Sequence, residues 1–375
     1  MRIGIDARMI YMSGIGTYLR NLIGGLARLG GDHQYVLFLS KSGRERFGPP
    51  GENFRVVSSE APPYSFAEQT SLACAIESQR LDLIHHPHYA APLFGRVPMI
   101  ATIHDLIHQL FPEECPSRLM WRISRAVARR TARRARLVLT VSENSRRDIA
   151  AHLGVPAAKV RLTYNALPPE WGRGDPPPPP AGLDAPYFLY VGNHKTHKNL
   201  PLLLEAFAGV RERAGRAGRA GGAGGASGVC LVLTGEKGDL ADEIDRRCLE
   251  GAVVFLGDVP NDSLEGVYAA ARALVFPSRY EGFGYPPLEA MGRGTPAIVS
   301  DAASLPEVVG EGGIVVPEGE AAPLRDAMLA LLEDDSLRAD LSRKALRQAE
   351  RFSWRALAEG TLEAYREAAA QGERA

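Results

Sequence analysis

The chain has 375 residues, enough for two domains that each bury a core. Lys plus Arg and Asp plus Glu both total 44, so the net charge is zero and no global field argues for nucleic acid. Four cysteines without metal-type spacing imply a reducing compartment and no disulfide framework, and no apolar run reaches bilayer length.

The opening residues MRIGIDARMI predict a short buried strand at Arg2–Asp6 and then a loop, without the apolar core of a signal peptide; a cytoplasmic protein is expected. Ser13 to Thr17 predicts a loop whose Gly14 and Gly16 offer backbone amides to a diphosphate, followed by an amphipathic helix from Tyr18 to Leu29. A tight turn is the plainer reading of those glycines. It is not a dinucleotide fingerprint, because the third glycine position is Leu19 and no acidic ribose reader ends a second strand. Further strands are predicted at Tyr35–Leu39, Leu81–Ile84, Met99–Ile103 and Leu137–Val141. His85, His86 and His88 close one of them; Pro87 and the lack of a carboxylate nearby in sequence argue against a metal. His104 and Asp105 close the next, where His104 can hydrogen-bond hydroxyl groups and Asp105 can orient its ring or bind a hydroxyl. Arg122, Arg125, Arg129, Arg130, Arg133, Arg134 and Arg136 are interleaved with Trp121, Ile123, Ala126 and Val127 at near-helical spacing. That run reads as a solvated helix face with an apolar stripe toward the core, or as a helix for anionic lipid headgroups.

Trp171 to Pro186 holds five consecutive prolines, Pro176 to Pro180, and predicts a semi-rigid linker rather than a proline-motif ligand. Beyond it, Tyr187 to Gly192 repeats the opening of the first half: a strand, the polar loop Asn193 to Lys198, then a helix from Leu200 to Val210. Lys198, placed like the Gly14 loop, would neutralise a leaving diphosphate; an exposed first-turn lysine is the plainer alternative. The run Ala214 to Gly228 reads as a flexible surface insertion. Strands follow at Val229–Leu233, Val253–Leu256, Ala273–Phe276 and Ala297–Val299. After Phe276 comes EGFGYPPLE, with Glu281 in a glycine-containing loop past the strand's carboxyl end and Glu289 inside the next helix. Bare amides at Gly282 and Gly284 between two acceptor-only carboxylates suit a polyhydroxylated, phosphorylated ligand such as a nucleotide sugar. Glu333-Asp334-Asp335 reads as a helix cap, so no catalytic metal is expected. Phe352-Ser353-Trp354 precedes a last helix that these aromatics are expected to pin across the first domain. The alternation predicts an α/β chain of two doubly wound, Rossmann-like domains: 1–170 completed by helix 355–375, linker 171–186, and 187–354.

These motifs together resemble the retaining GT-B glycosyltransferases of the group 1, or family 4, type. The resemblance runs through IDARMI and GIGTYL, IHDL at Ile103–Leu106, VSENS at Val141–Ser145 and KNL at Lys198–Leu200. It continues through PSRYEGFGYPPLEAMGRGTP at Pro277–Pro296 and LPEVVG at Leu305–Gly310. IHDL and GIGTYL are most similar to the mannosyltransferase-like branch that builds bacterial surface polysaccharides. The resemblance implies two domains facing across a cleft, a nucleoside diphosphate sugar donor (GDP-mannose first), a saccharide or lipid-linked acceptor, and no cofactor. It implies that Glu281 faces the donor sugar with Gly282, Phe283 and Gly284, that Glu289 meets the ribose, and that Lys198 and Gly16 meet the diphosphate. His104 would touch the sugar near the reaction centre, and Glu307 would support the site from behind. Two departures stand out. Asn193 occupies a position where relatives carry arginine, leaving Lys195, His197 or Lys198 to supply the charge, and Asn165-Ala166 replaces Asn-Gly. The expected reaction is front-face transfer with retention, the leaving phosphate helping to take the acceptor's proton. A nucleotide-sugar 2-epimerase, a dinucleotide oxidoreductase and a non-catalytic nucleotide-binding regulator are the rival readings.

Overall fold

The computed structural model describes residues 1–183, 185–220 and 228–371. It divides into two compact units, Met1–Pro168 joined by the chain from Phe352 onward, and Pro169–Arg351.

The first unit is built on a seven-stranded parallel sheet: β1 (Arg2–Asp6), β2 (Gln34–Leu39), β3 (Phe54–Ser58), β4 (Leu83–His86), β5 (Met99–Thr102), β6 (Leu137–Thr140) and β7 (Val160–Leu162). The strand order is β3-β2-β1-β4-β5-β6-β7, so the winding reverses between β1 and β4. In such sheets the crevice at that reversal, outside the carboxyl ends, is where ligands bind. The strand expected at Leu81–Ile84 lies two residues later: Ile84, His85 and His86 pair with Met99, Ile100 and Ala101. Two buried histidines carry that strand's end, a pattern that hydrophobicity alone does not mark.

The helix Ser13–Leu29 starts earlier than its apolar pattern suggests, and it takes Gly14 and Gly16 into its first turns. Its Leu19, Leu22, Ile23 and Leu26 pack against Leu357, Ala358 and Tyr365 of the last helix, Trp354–Ala370. Gly25 permits that approach, because a Cβ there would stand 2.9 Å from the Ala358 Cβ. The last helix is thus part of the first unit's core, with Trp354 packed at its start.

The second unit holds β8 (Tyr187–Tyr190), β9 (Cys230–Leu233), β10 (Val253–Phe255), β11 (Ala273–Phe276), β12 (Ala297–Ser300) and β13 (Gly313–Val316) in the order β10-β9-β8-β11-β12-β13, all parallel. Its winding reverses between β8 and β11. The proline run belongs to this unit. A Cβ on Gly266, in the helix Asn261–Ala270, would fall 2.1 Å from the Pro177 carbonyl oxygen, so the prolines lie against that helix. The helix beginning at Leu200 continues to Ala220, well past Val210, through alanine- and arginine-rich sequence of good helix propensity. The rest of the expected insertion, 221–227, lies outside the described residues.

Candidate active site

In the second unit the chain leaves β11 through Pro277 and reaches the helix Tyr285–Gly292, which has proline in its first turn. Between them Gly282, Phe283 and Gly284 are buried and Glu281 is half-buried. Gly284 sits at φ 110°, a conformation that favours glycine, with the Leu305 side chain 3.0 Å from where a Cβ would be. The buried Ser304 hydroxyl fixes the loop from behind, shared between the carbonyl oxygens of Glu281 (2.9 Å) and Phe283 (2.8 Å).

Lys198 ends the tight turn Thr196–Lys198, and Asn199 follows in the left-handed region at φ 57°. That turn brings the Lys198 Nζ within 2.7 Å of Glu281 Oε1, with both side chains largely enclosed at 12% and 14% exposure. The ammonium also stands 5.0 Å from the centre of the Phe276 ring. Of the three cationic candidates in this loop, Lys198 is the one paired with Glu281: Lys195 is exposed and the His197 ring is buried. Asn193 is exposed; its carbonyl accepts from the Tyr190 hydroxyl at 2.6 Å.

Glu289 lies in the helix after the loop, and its Oε2 accepts from the Tyr268 hydroxyl at 2.7 Å. Burial, then the Glu289 charge, raises the Tyr268 phenol well above its ordinary value, so it stays protonated and donates. Glu307 falls in the short helix Leu305–Val309, whose preceding residue is the loop-fixing Ser304. Tyr268 and Ser304 carry no motif; Ser304 is foreshadowed only by its place just before LPEVVG.

In the first unit the Gly16 N–H donates to the Met12 carbonyl at 2.9 Å, and a Cβ at Gly16 would stand 2.6 Å from the Ile10 carbonyl oxygen. Gly16 therefore lets the preceding loop fold back on the helix, and its amide closes the first turn instead of pointing outward. Gly14, two residues earlier, is half-buried. His104, just past β5, donates from Nε2 to the Pro87 carbonyl at 2.9 Å. Burial lowers its pKa against the pull of Asp105 and the Pro87 bond. A neutral ring with its proton on Nε2 keeps Nδ1 as an acceptor, assigned from this hydrogen bond. The His104 ring meets Tyr18 edge-on at 4.9 Å, and Ser145 Oγ donates to the His104 carbonyl at 2.8 Å. Asp105 Oδ1 accepts from the Ile107 N–H at 3.0 Å.

The remaining histidines are engaged separately. His85 bonds Tyr365 Oη through Nδ1 and Thr102 Oγ1 through Nε2, both at 2.7 Å, and Thr102 also meets the Tyr18 hydroxyl at 2.9 Å. His86 lies 3.3 Å from Asp6 Oδ2, and the His88 Nδ1 accepts from the Ala90 N–H at 3.1 Å. These rings do not converge. Asp6 is further held by Arg8 through two contacts of 2.8 Å; burial alone would raise its carboxyl, but Arg8 and His86 keep it below the carboxylate range.

Comparison with known proteins agrees with this architecture. Residues 12–171 match the model for "Glycosyltransferase Family 4" and 175–348 the model for "Glycosyl transferases group 1". O-antigen chain mannosyltransferase B of Escherichia coli is 31% identical over 304 residues, covering 78% of this chain and 76% of that protein. O-antigen chain mannosyltransferase RfbU of Salmonella typhimurium is 27% identical over 262 residues, covering 68% and 67%. Among solved structures, sucrose-phosphate synthase of Thermosynechococcus elongatus superposes with a TM-score of 0.75 at 20% identity, covering 98% of each chain. Anabaena Alr3699/HepE in complex with UDP-glucose gives 0.75 at 19% identity over 98% of this chain and 100% of that one. The fold, two doubly wound parallel-sheet domains, is GT-B. The chain belongs to the group 1, family 4 glycosyltransferases and is a glycosyltransferase.

Proposed function

We propose that the enzyme transfers mannose from GDP-mannose to a saccharide or lipid-linked acceptor during surface polysaccharide synthesis, with retention and without metal or cofactor. The observation that carries this reading is the enclosed Lys198–Glu281 pair at the carboxyl end of β11, beside the Gly282–Gly284 amides. A cation beside a glycine-containing loop meets a diphosphate, and an acceptor-only carboxylate meets sugar hydroxyls. Glu289 would hold the ribose, with Gly14, Asn193 and Lys195 near the phosphates. Glu307 would support the loop from behind. Mannose is supported by the two O-antigen mannosyltransferases to which the chain is similar.

Chemistry is front-face attack. The leaving diphosphate takes the acceptor's proton, and Lys198 stabilises the charge that grows on the phosphate. Neutral His104 accepts a hydroxyl hydrogen bond at Nδ1 and fixes the sugar, with Asp105 beside it. The test is a thermal-shift panel of GDP-mannose, UDP-glucose, UDP-N-acetylglucosamine and dTDP-rhamnose, followed by anomeric analysis of the product. A shift with another donor alone rejects mannose, and an inverted product rejects the mechanism. Net epimerisation of donor without acceptor would restore the epimerase reading.

The work is assigned to the cytoplasmic membrane face. Among the described residues no helix is long and apolar enough to cross a bilayer. On the helix Arg118–Arg134, however, Leu119, Met120 and Ile123 stay exposed among arginines instead of facing the core. Exposed Phe94 lies beneath the Arg130 guanidinium at 5.2 Å. Apolar side chains within a cationic face suit an anionic lipid surface. Cosedimentation with phosphatidylglycerol vesicles that Met120→Asp leaves unchanged would reject this contact.

A further inference from the structure

Glu68 is a buried carboxylate that the proposed chemistry leaves unused, and it leads to a second binding surface. Arg8, also buried, reaches from the end of β1 to Glu68 Oε1 at 2.6 Å, and Glu68 Oε2 accepts the Tyr64 N–H at 3.2 Å. Tyr64 sits at φ 63°, a conformation that a bulky side chain adopts only when its surroundings impose it. The turn is closed by Ser65 Oγ, which donates to the Pro62 carbonyl at 2.6 Å.

The strained turn presents aromatic surface. Tyr64 is 57% exposed and Phe66, two residues on, is 82% exposed. The Tyr64 hydroxyl meets the His88 ring nitrogens at 3.2 and 3.3 Å, and the rings cross edge to face at 5.4 Å. His88 in turn rests on buried Tyr89 with centroids 3.9 Å apart. The patch adjoins the reaction side of this unit: Pro87, next to His88, holds His104, and Asp105 lies close enough for its charge to act on both Tyr64 and Tyr89. An open aromatic face bordered by a carboxylate and imidazoles has the chemistry that binds a pyranose, whose C–H face stacks on a ring while its hydroxyls bond the polar rim.

We infer that Tyr64 and Phe66, with His88 and Asp105, form the acceptor-saccharide site, and that Arg8 and Glu68 are positioning residues that hold Tyr64 in place. This rests on the proposal above, which gives the donor nucleotide to the second unit and leaves the surface beside His104 for the acceptor. The occupant is a neutral sugar ring, since the Asp105 carboxylate would oppose an acidic one.

The test is saturation-transfer NMR with α-mannotriose on the full chain, comparing wild type, Tyr64→Ala and Tyr64→Phe, with melting temperature as fold control. Loss of one stacked ring should weaken binding about tenfold in Tyr64→Ala, whereas Tyr64→Phe keeps it within about twofold. Equal saturation in Tyr64→Ala, or none in wild type, overturns the site. A GDP-induced thermal shift reports the donor proposal separately: its absence defeats that proposal while the sugar signal still decides this one.

Discussion

The Lys198–Glu281 pair yields a prediction in which stability and turnover separate. At 2.7 Å and an effective dielectric near 20, the pair's Coulomb attraction is about 6 kcal/mol before the cost of dehydrating two enclosed groups. That cost cancels most of the gain, so the quantity that matters is what happens when one partner goes. Lys198→Met keeps the stem on the Phe276 ring and leaves the partly enclosed Glu281 charge without its cation, for a loss of about 1–3 kcal/mol. Glu281→Gln strands the ammonium at a similar cost. The double variant removes both charges and should recover about 1–2 kcal/mol relative to the sum of the singles. Transfer should not recover: each variant should lose about 10²–10³-fold in kcat, because Lys198→Met leaves the charge on the leaving phosphate unmet and Glu281→Gln removes the carboxylate that meets the sugar hydroxyls. Urea titrations of the four proteins give the coupling, and product formation from labelled donor gives the rates. Zero coupling, or wild-type transfer by Lys198→Met, would refute the reasoning.

Three other outcomes follow from the first unit. Tyr365→Phe removes the hydroxyl that bonds His85 Nδ1 and should cost about 1–3 kcal/mol, read as a lower urea midpoint; an unchanged midpoint would mean water replaces the hydroxyl. Gly25→Leu forces a side chain into the Ala358 contact and should cost about 1–3 kcal/mol, with faster proteolysis of the last helix; equal protease resistance would show that the helices can part freely. Burial pushes the His85 and His88 imidazoles down to about 3 from an ordinary 6.5. Between those values the unfolded chain holds more protons than the folded one, so stability is full above pH 6.5 and falls as pH drops. Two such groups give a slope of up to about 2.7 kcal/mol per pH unit, and a denaturation midpoint constant from pH 7 to 5 would contradict it.

The parts of the fold and site that sequence revealed are those with strong local patterns. The apolar run at Ala273–Phe276 becomes β11, and the glycines and glutamates after it lie where a strand-loop-helix reading puts them. What stayed hidden depends on contacts distant in sequence. β3, β7 and β13 are edge strands whose residues are mostly half-buried or exposed, so they lack the fully buried run of a central strand. His85 sits inside a buried strand because Thr102 and Tyr365 satisfy its nitrogens, and Tyr365 lies 280 positions away. Gly16 resembles a phosphate-loop glycine, yet the Ile10 carbonyl demands its missing side chain. Tyr64 is the extreme case: its exposure and left-handed backbone follow from Glu68 and Arg8, and nothing in the local sequence announces them.

The return of the last helix to the first unit also sets an order of events during synthesis. The first unit is begun first and finished last, since roughly 180 residues must be made before Phe352 appears, on the order of 10–40 s of elongation. Until then Tyr18, Leu19 and Ile23 lack the surface supplied by Leu357 and Tyr365, and His85 lacks a partner. The nascent first half therefore waits with an open apolar face and a chargeable histidine, while the second unit, made from continuous chain, can complete its own sheet. A ribosome-stalled chain ending near Arg351 should bind nucleotide through that sheet yet be held by chaperones at the uncovered side of the helix Ser13–Leu29.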